Sequence, residues 1–208
     1  MYFNASKLSS RDAYKLLIGS VVPRPIGWVS TISANGVGNL APFSFYMAAT
    51  GNPPTVVVSN GYRDGEPKDT LRNVMDVPEF VLNVVSEDVG DAMNATSEEL
   101  PFGVDELPLA GLTPAPSTLV RPVRVAESPI NMECRVVQIV PVGDTKTGAS
   151  LIIGEVVAWH LHDDAFDAER MRVRLDVVKA LGRLAGDGYC RTRDQFDMVR
   201  PNPNYQGR

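Results

Sequence analysis

The chain has 208 residues, enough for one large domain, and its 44% apolar and 22% charged shares fit a globular protein with a real core. Twenty Lys and Arg stand against 25 Asp and Glu, a net charge of −5, which argues against a general partner of nucleic-acid polymers or anionic membranes but leaves room for a local cationic pocket. Two cysteines, Cys134 and Cys190, cannot build a disulfide framework or a four-thiolate zinc site. With no apolar signal core and no run approaching ~18 apolar residues, a cytoplasmic protein is expected.

The 17 Gly and 16 Pro punctuate apolar runs, so turns are implied and disorder is not. Ser10 to Ile18 reads as a short helix, capped by Ser9 or Ser10, with Tyr14, Leu17 and Ile18 on one face and Gly19 at its end. Pro23 and Pro25 forbid helix, and Ile26 to Ile32 favours a strand, turned at Asn35-Gly36. Its partner is a single strand, NLAPFSFYMAAT, which ends at the turn signal Gly51 to Pro54. Thr55 to Ser59 is a short apolar strand, followed by a glycine-bearing loop, NGYRDGEP. A helix opens at Lys68-Asp69-Thr70 and runs to about Met75. Phe80 to Val85 is a strand, and Ser86 is placed to cap a helix over Glu87 to Asn94.

Residues 97 to 118 read as an irregular, proline-rich excursion with one helical turn. Two long strands follow, Asn131 to Val142 and Leu151 to Leu161, joined by GDTKTGA. In the second, Leu151, Ile153, Val157, Trp159 and Leu161 share a face that Glu155 interrupts. A helix over Arg172 to Leu181 and an irregular tail close the chain. Many short strands, few helices and no βαβ alternation predict a mainly β fold with peripheral helices, an antiparallel barrel closed or partly closed, in one domain spanning 1–208.

Nucleophile and metal chemistry find little support. His160 and His162 share one strand face, but no further ligands at metal spacing accompany them. GxSxG, GxGxxG and the P-loop are absent. Cys134 reads as a buried structural thiol, and Cys190 lies among basic neighbours in YCRTR without an evident histidine partner. The segment SNGYRDGEPKDT is more informative. It runs from a strand through a turn into a helix whose first turn carries Lys68 and Thr70, an arrangement suited to an anion or phosphate. The other reading of it is an exposed loop with a Lys–Asp surface pair. In NLAPFSFY, Pro42 interrupts the hydrogen-bond ladder, so a planar ligand could lie along the strand against Phe43 or Phe45; a bulged edge strand is the alternative.

PRPIGWVST, NLAPFSFY, NPPTVVVS, KDTLRN, FVLNVVS, ESPINMECR, LIIGEVV and ALGRLAGDGY, in this order from about Ser20 to Tyr189, resemble the flavin reductase-like family. The closest resemblance is to its longer branch, with flavoredoxin and the reductase components of two-component flavin monooxygenases. This resemblance implies an FMN-binding split β-barrel, antiparallel and Greek-key-like, working as a homodimer. It places Asn39, Leu40, Ala41, Pro42, Phe43 and Ser44 beside the isoalloxazine ring, and Ser59 and Asn60 at the ribityl chain or phosphate. Lys68, Asp69 and Thr70 match the phosphate turn, Thr31 is a further contact, and Arg183 and Tyr189 flank the open side of the flavin or the partner's site. It implies reduction of FMN by NADH or NADPH, with reduced flavin released or its electrons passed to a partner oxygenase or redox protein. Neither His160 nor His162 is placed near a nicotinamide. A flavoredoxin-type electron carrier that does not use NAD(P)H is the alternative, and a flavin-free binding module on the same barrel is a third class.

Overall fold

The computed structural model describes residues 1–199. Helix α1, Ser10–Ser20, starts at Ser9, whose Oγ accepts the Asp12 N–H at 3.1 Å and donates to the Asp12 carboxylate at 2.7 Å. It runs through Gly19, past its expected end, and none of its residues is buried. The predicted Tyr14–Leu17 face therefore meets no core in this chain.

Strand β1, Gly27–Ile32, pairs with β2, Gly38–Phe43, around the Asn35-Gly36 turn. The expected long partner strand is two strands. The chain leaves the sheet at Ser44–Phe45 and re-enters as β3, Tyr46–Gly51, paired with β4, Pro54–Arg63. Pro42 does not mark the break: it sits inside β2 opposite Trp28, tolerated because β2 is an edge strand.

The expected loop after Ser59 is mostly strand. β4 continues to Arg63 and returns through Asp64-Gly65, with φ of 51° and 86°, to pair Arg63 with Glu66. Helix α2, Asp69–Asp76, follows, then β5, Glu79–Val84. The segment after Ser86 is a 3₁₀ turn, Glu87–Val89, leading into α3, Gly90–Ala95. Ser86 makes no capping hydrogen bond, contrary to expectation. Helix α4, Glu106–Leu109, is the single expected turn in the irregular excursion.

Strands β6, Ile130–Val142, and β7, Ala149–Leu161, form the long hairpin. The buried face of β7 is Ser150, Ile152, Gly154 and Val156, the reverse of the expected one; Trp159 is 49% exposed. Gly154 makes this packing possible, since a Cβ there would lie 2.4 Å from Phe80 Cζ. The expected Arg172–Leu181 helix shrinks to α5, Leu175–Val178, ended by Lys179 in the left-handed region at φ 46°. Strands β8, Leu181–Arg183, and β9, Tyr189–Arg191, then pair as a hairpin, with β8 also against Arg24–Pro25.

The main antiparallel sheet runs β2-β1-β5-β6-β7-β4-β3, so strands adjacent in sequence, β2 and β3, end at opposite edges. One core, with Val29, Val58, Phe80, Leu82, Cys134 and Ile152, lies inside the curved sheet, closed by Leu71 and Val74 of α2. A second, with Trp28, Leu40, Val85, Met93 and Leu107, fills the space under α3 and α4. Cys134 is fully buried, and that burial pushes its thiol pKa well above the ordinary range, in keeping with an inert structural thiol.

Candidate functional site

Two accidents of local folding bring the two informative segments together. The Asp64-Gly65 turn folds Arg63 back beside the start of α2, and the β1–β2 hairpin lays the Asn39–Phe43 edge against the same helix end. Between them lies a cleft of about 230 Å³, lined by Asn39, Ala41, Pro42, Phe43, Arg63 and Lys68, with Asp69, Thr70, Glu106 and the 96–100 segment completing it.

Lys68 is the N-cap residue of α2, and no side chain caps the helix. The first-turn N–H groups therefore have no capping acceptor, the partial positive charge of a helix start. Lys68 forms no ion pair among the described residues, and it shares the cleft with Arg63 as a second cation and with the carboxyl groups of Asp69, Glu98 and Glu106.

Beneath the cleft is a buried network. Asn39 Nδ2 donates to Thr31 Oγ1 at 3.2 Å and to Thr70 Oγ1 at 3.1 Å, and Asn73 Nδ2 donates to Thr31 Oγ1 at 3.1 Å. Thr31 thus ties α2 to the β1–β2 hairpin from below. The Glu106 carboxylate accepts the outward N–H of Leu40 at 2.8 Å, so one free donor expected along the edge strand is already taken. Burial raises the Glu106 pKa, with Asp105 and Asp69 adding to the rise and the Leu40 N–H opposing it.

The structure divides the expected site residues. Asn39, Ala41, Pro42, Phe43, Lys68, Asp69 and Thr70 share the cleft. Leu40 is 1% exposed, its side chain in the second core. Ser59 and Asn60 are consecutive on β4 and point to opposite faces. Ser59 joins Ser44 in a separate, largely apolar cleft of about 610 Å³ beside α1. Asn60 is fully buried, and neither its Oδ1 nor its Nδ2 has a hydrogen-bond partner. Arg183 and Tyr189 face each other across the β8–β9 hairpin, the guanidinium 4.4 Å from the ring centroid, in a third region where Tyr189 lines a cleft with Glu87 and Asp91.

Sequence reasoning missed Arg63, Glu106 and the 96–100 segment. Arg63 had a signal: Asp-Gly with two flanking strands predicts a tight hairpin that brings it back toward Lys68. Its Nε is buried without a partner, while Nη2 reaches Glu99 at 3.3 Å. Glu106 and residues 96–100 arrive from a proline-rich excursion and had no such signal. His160 and His162 lie elsewhere, bonded to Glu133 and to the Ala126 carbonyl. Among the described residues, no group of three or more His, Cys, Asp or Glu could hold a metal, and no helix is long and apolar enough to cross a membrane.

Comparison with known proteins agrees with this fold. Nitrilotriacetate monooxygenase component B from Bacillus cereus is 35% identical, with a TM-score of 0.91 over 95% of this chain and 98% of that one. The 2-nitrobenzoate 2-nitroreductase NbaA of Pseudomonas fluorescens is 32% identical, TM-score 0.86, over 97% and 96% of the two chains. A protein of Shewanella frigidimarina with a split barrel domain is 20% identical, TM-score 0.82, over 96% and 98% of the two chains, and shares the fold. The family model for the flavin reductase like domain matches residues 18–179, and with the split-barrel fold and these relatives it shows that the chain belongs to the flavin reductase-like family.

Proposed function

We propose that this protein is an FMN-dependent flavin reductase that takes electrons from NADH or NADPH and supplies reduced flavin to a partner oxygenase or redox protein. One observation carries the cofactor reading: the uncapped, Lys68-bearing start of α2 faces the Asn39–Phe43 edge across a single cleft. At about 230 Å³ the cleft suits the phosphate and ribityl end of a flavin more than the whole molecule, with the ring extending along the β2 edge.

The residues fit that group. Lys68, Arg63 and the first-turn N–H groups supply positive charge and donors for a phosphate. The fully buried Asn60 amide, with two donors and an acceptor unmet, marks a polar demand on the barrel side. Pro42 and Phe43 offer apolar surface to a planar ring. When bound, FMN supplies two-electron chemistry, and the protein's part is to hold and orient it. Asn39, Thr31, Thr70 and Asn73 fix the cradle, while Glu106 holds the edge strand through Leu40.

A homodimer belongs to the same reading. Tyr14, Leu17 and Met47 are 56%, 51% and 57% exposed around the apolar cleft beside α1, and a second copy is the occupant that would cover them. Sedimentation as a monomer at micromolar concentration would remove this part.

The test of the reductase reading is anaerobic addition of each nicotinamide nucleotide to the FMN-loaded protein. Loss of the visible flavin absorbance with either is expected. Failure with both would leave an electron-transfer protein of the flavoredoxin kind.

A further inference from the structure

One wall of the Lys68 cleft is a short strap, Ser97 to Phe102, which brings Ser97, Glu98 and Leu100 to the lining. Both ends of the strap are fixed. Thr96 is buried and accepts the Trp28 Nε1–H at 2.9 Å, and Asp105 caps α4 by accepting the Leu107 N–H at 3.0 Å. Between these ends, two side-chain contacts tie the strap to β4 and α2. Arg63 Nη2 lies 3.3 Å from Glu99 Oε1, and the Arg72 guanidinium carbon lies 4.7 Å from the Phe102 ring centroid. The Glu99 side chain is 72% exposed, so this ion pair is of the weakly held surface kind.

Arg63 is only half used. Its Nε is buried with no hydrogen-bond partner, while Nη2, on the same edge of the guanidinium, meets Glu99. A buried donor left unmet carries a cost that a partner would remove. Such an edge grips a carboxylate or a phosphate through two parallel N–H groups. A phosphate taking both would satisfy Nε and claim the Nη2 that Glu99 holds. Glu99 and a phosphate in the cleft therefore compete for one cation. Lys68, with no ion pair among the described residues, faces no such competitor.

We propose that Glu99 is an internal counter-ion that gives up Arg63 to the flavin phosphate on binding and reclaims it on release, so that FMN is held more loosely than the cations of the cleft alone would hold it. This rests on the FMN reading above and deepens it, since a protein that supplies reduced flavin has to let the flavin go.

The experiment titrates FMN into wild type, Glu99→Gln, Arg63→Gln and the double variant, with Arg63→Met in place of Arg63→Gln should glutamine not fold. Glu99→Gln is expected to bind FMN about two- to fivefold more tightly than wild type, the range spanned by an exposed ion pair. In the Arg63→Gln background the same change is expected to bring no gain, whereas a general relief of negative charge at the cleft would persist there. Unchanged binding by Glu99→Gln overturns the inference. Weaker binding does so too, because Glu99 would then orient Arg63 for the phosphate, as does a gain that survives without Arg63. Absence of FMN binding by wild type instead overturns the reading on which the inference rests.

Discussion

Glu133→Ala is expected to destabilise the protein by about 3–5 kcal/mol, the usual cost of breaking a buried, fully partnered charge. Glu133 lies on β6 with no exposed surface. Its carboxylate accepts the N–H groups of Thr118, Leu119 and Val120 at 2.7, 2.6 and 3.1 Å, and bonds His160 Nε2 at 2.5 Å. One side chain therefore pins the proline-rich 116–122 segment to the sheet. Truncation leaves three backbone donors and an imidazole without their acceptor. Denaturant unfolding with an unchanged slope but a lowered midpoint would show this; a loss below about 1 kcal/mol would mean that water replaces the carboxylate freely.

The same group sets an acid dependence. Burial pushes the Glu133 pKa up, but the Thr118 N–H, His160 and the Leu119 N–H outweigh it, and the net shift is downward. A carboxyl whose folded pKa is depressed contributes its full stabilisation above the unfolded carboxylate range and loses it as pH falls through the folded value. Wild type should therefore lose stability on acidification more steeply than Glu133→Ala.

Lys68→Ala is expected to weaken FMN binding by roughly 1–3 kcal/mol, the scale of a charge-assisted hydrogen bond. Lys68 has no ion-pair partner among the described residues, so its removal breaks no internal salt bridge, and the fold should melt as wild type does. Arg63 limits the loss, since a second cation at the cleft remains. Equal dissociation constants for wild type and variant would put the phosphate elsewhere.

Much of the strand content was legible because apolar runs and turn residues are local signals. The Asn35-Gly36 turn, the long β6–β7 hairpin and the start of α2 follow from residues close in sequence. What could not be read is what depends on partners far along the chain. β2 and β3 look like one strand, and only the sheet order shows that the chain crosses from one edge to the other between them.

The reversed face of β7 has a similar cause. Gly154 is where Phe80 enters the core, a role that depends on a residue far away in sequence. Glu155, which interrupts the shared apolar face, was the signal that this face is the outer one. Glu133 gave no warning either, because its donors come from a segment 13 to 15 residues upstream with no regular structure of its own.

The candidate site shows the same division. Lys68, Asp69 and Thr70 could be named from the sequence because a helix start is a local feature. Asn39 to Phe43 came from the resemblance together with one misplaced proline. Arg63 and Glu106 reach the cleft only through tertiary contact. Ser59 and Asn60, adjacent in sequence, serve different faces because β4 runs further than its apolar core suggested.

Equilibrium titration of the purified, flavin-free protein with FMN, followed by the visible spectrum and flavin fluorescence, tests the central claim most directly. Uptake of about one FMN per chain, with a perturbed spectrum and an affinity that falls in Lys68→Ala, is the predicted result. A protein that stays colourless and leaves FMN fluorescence unchanged would contradict it.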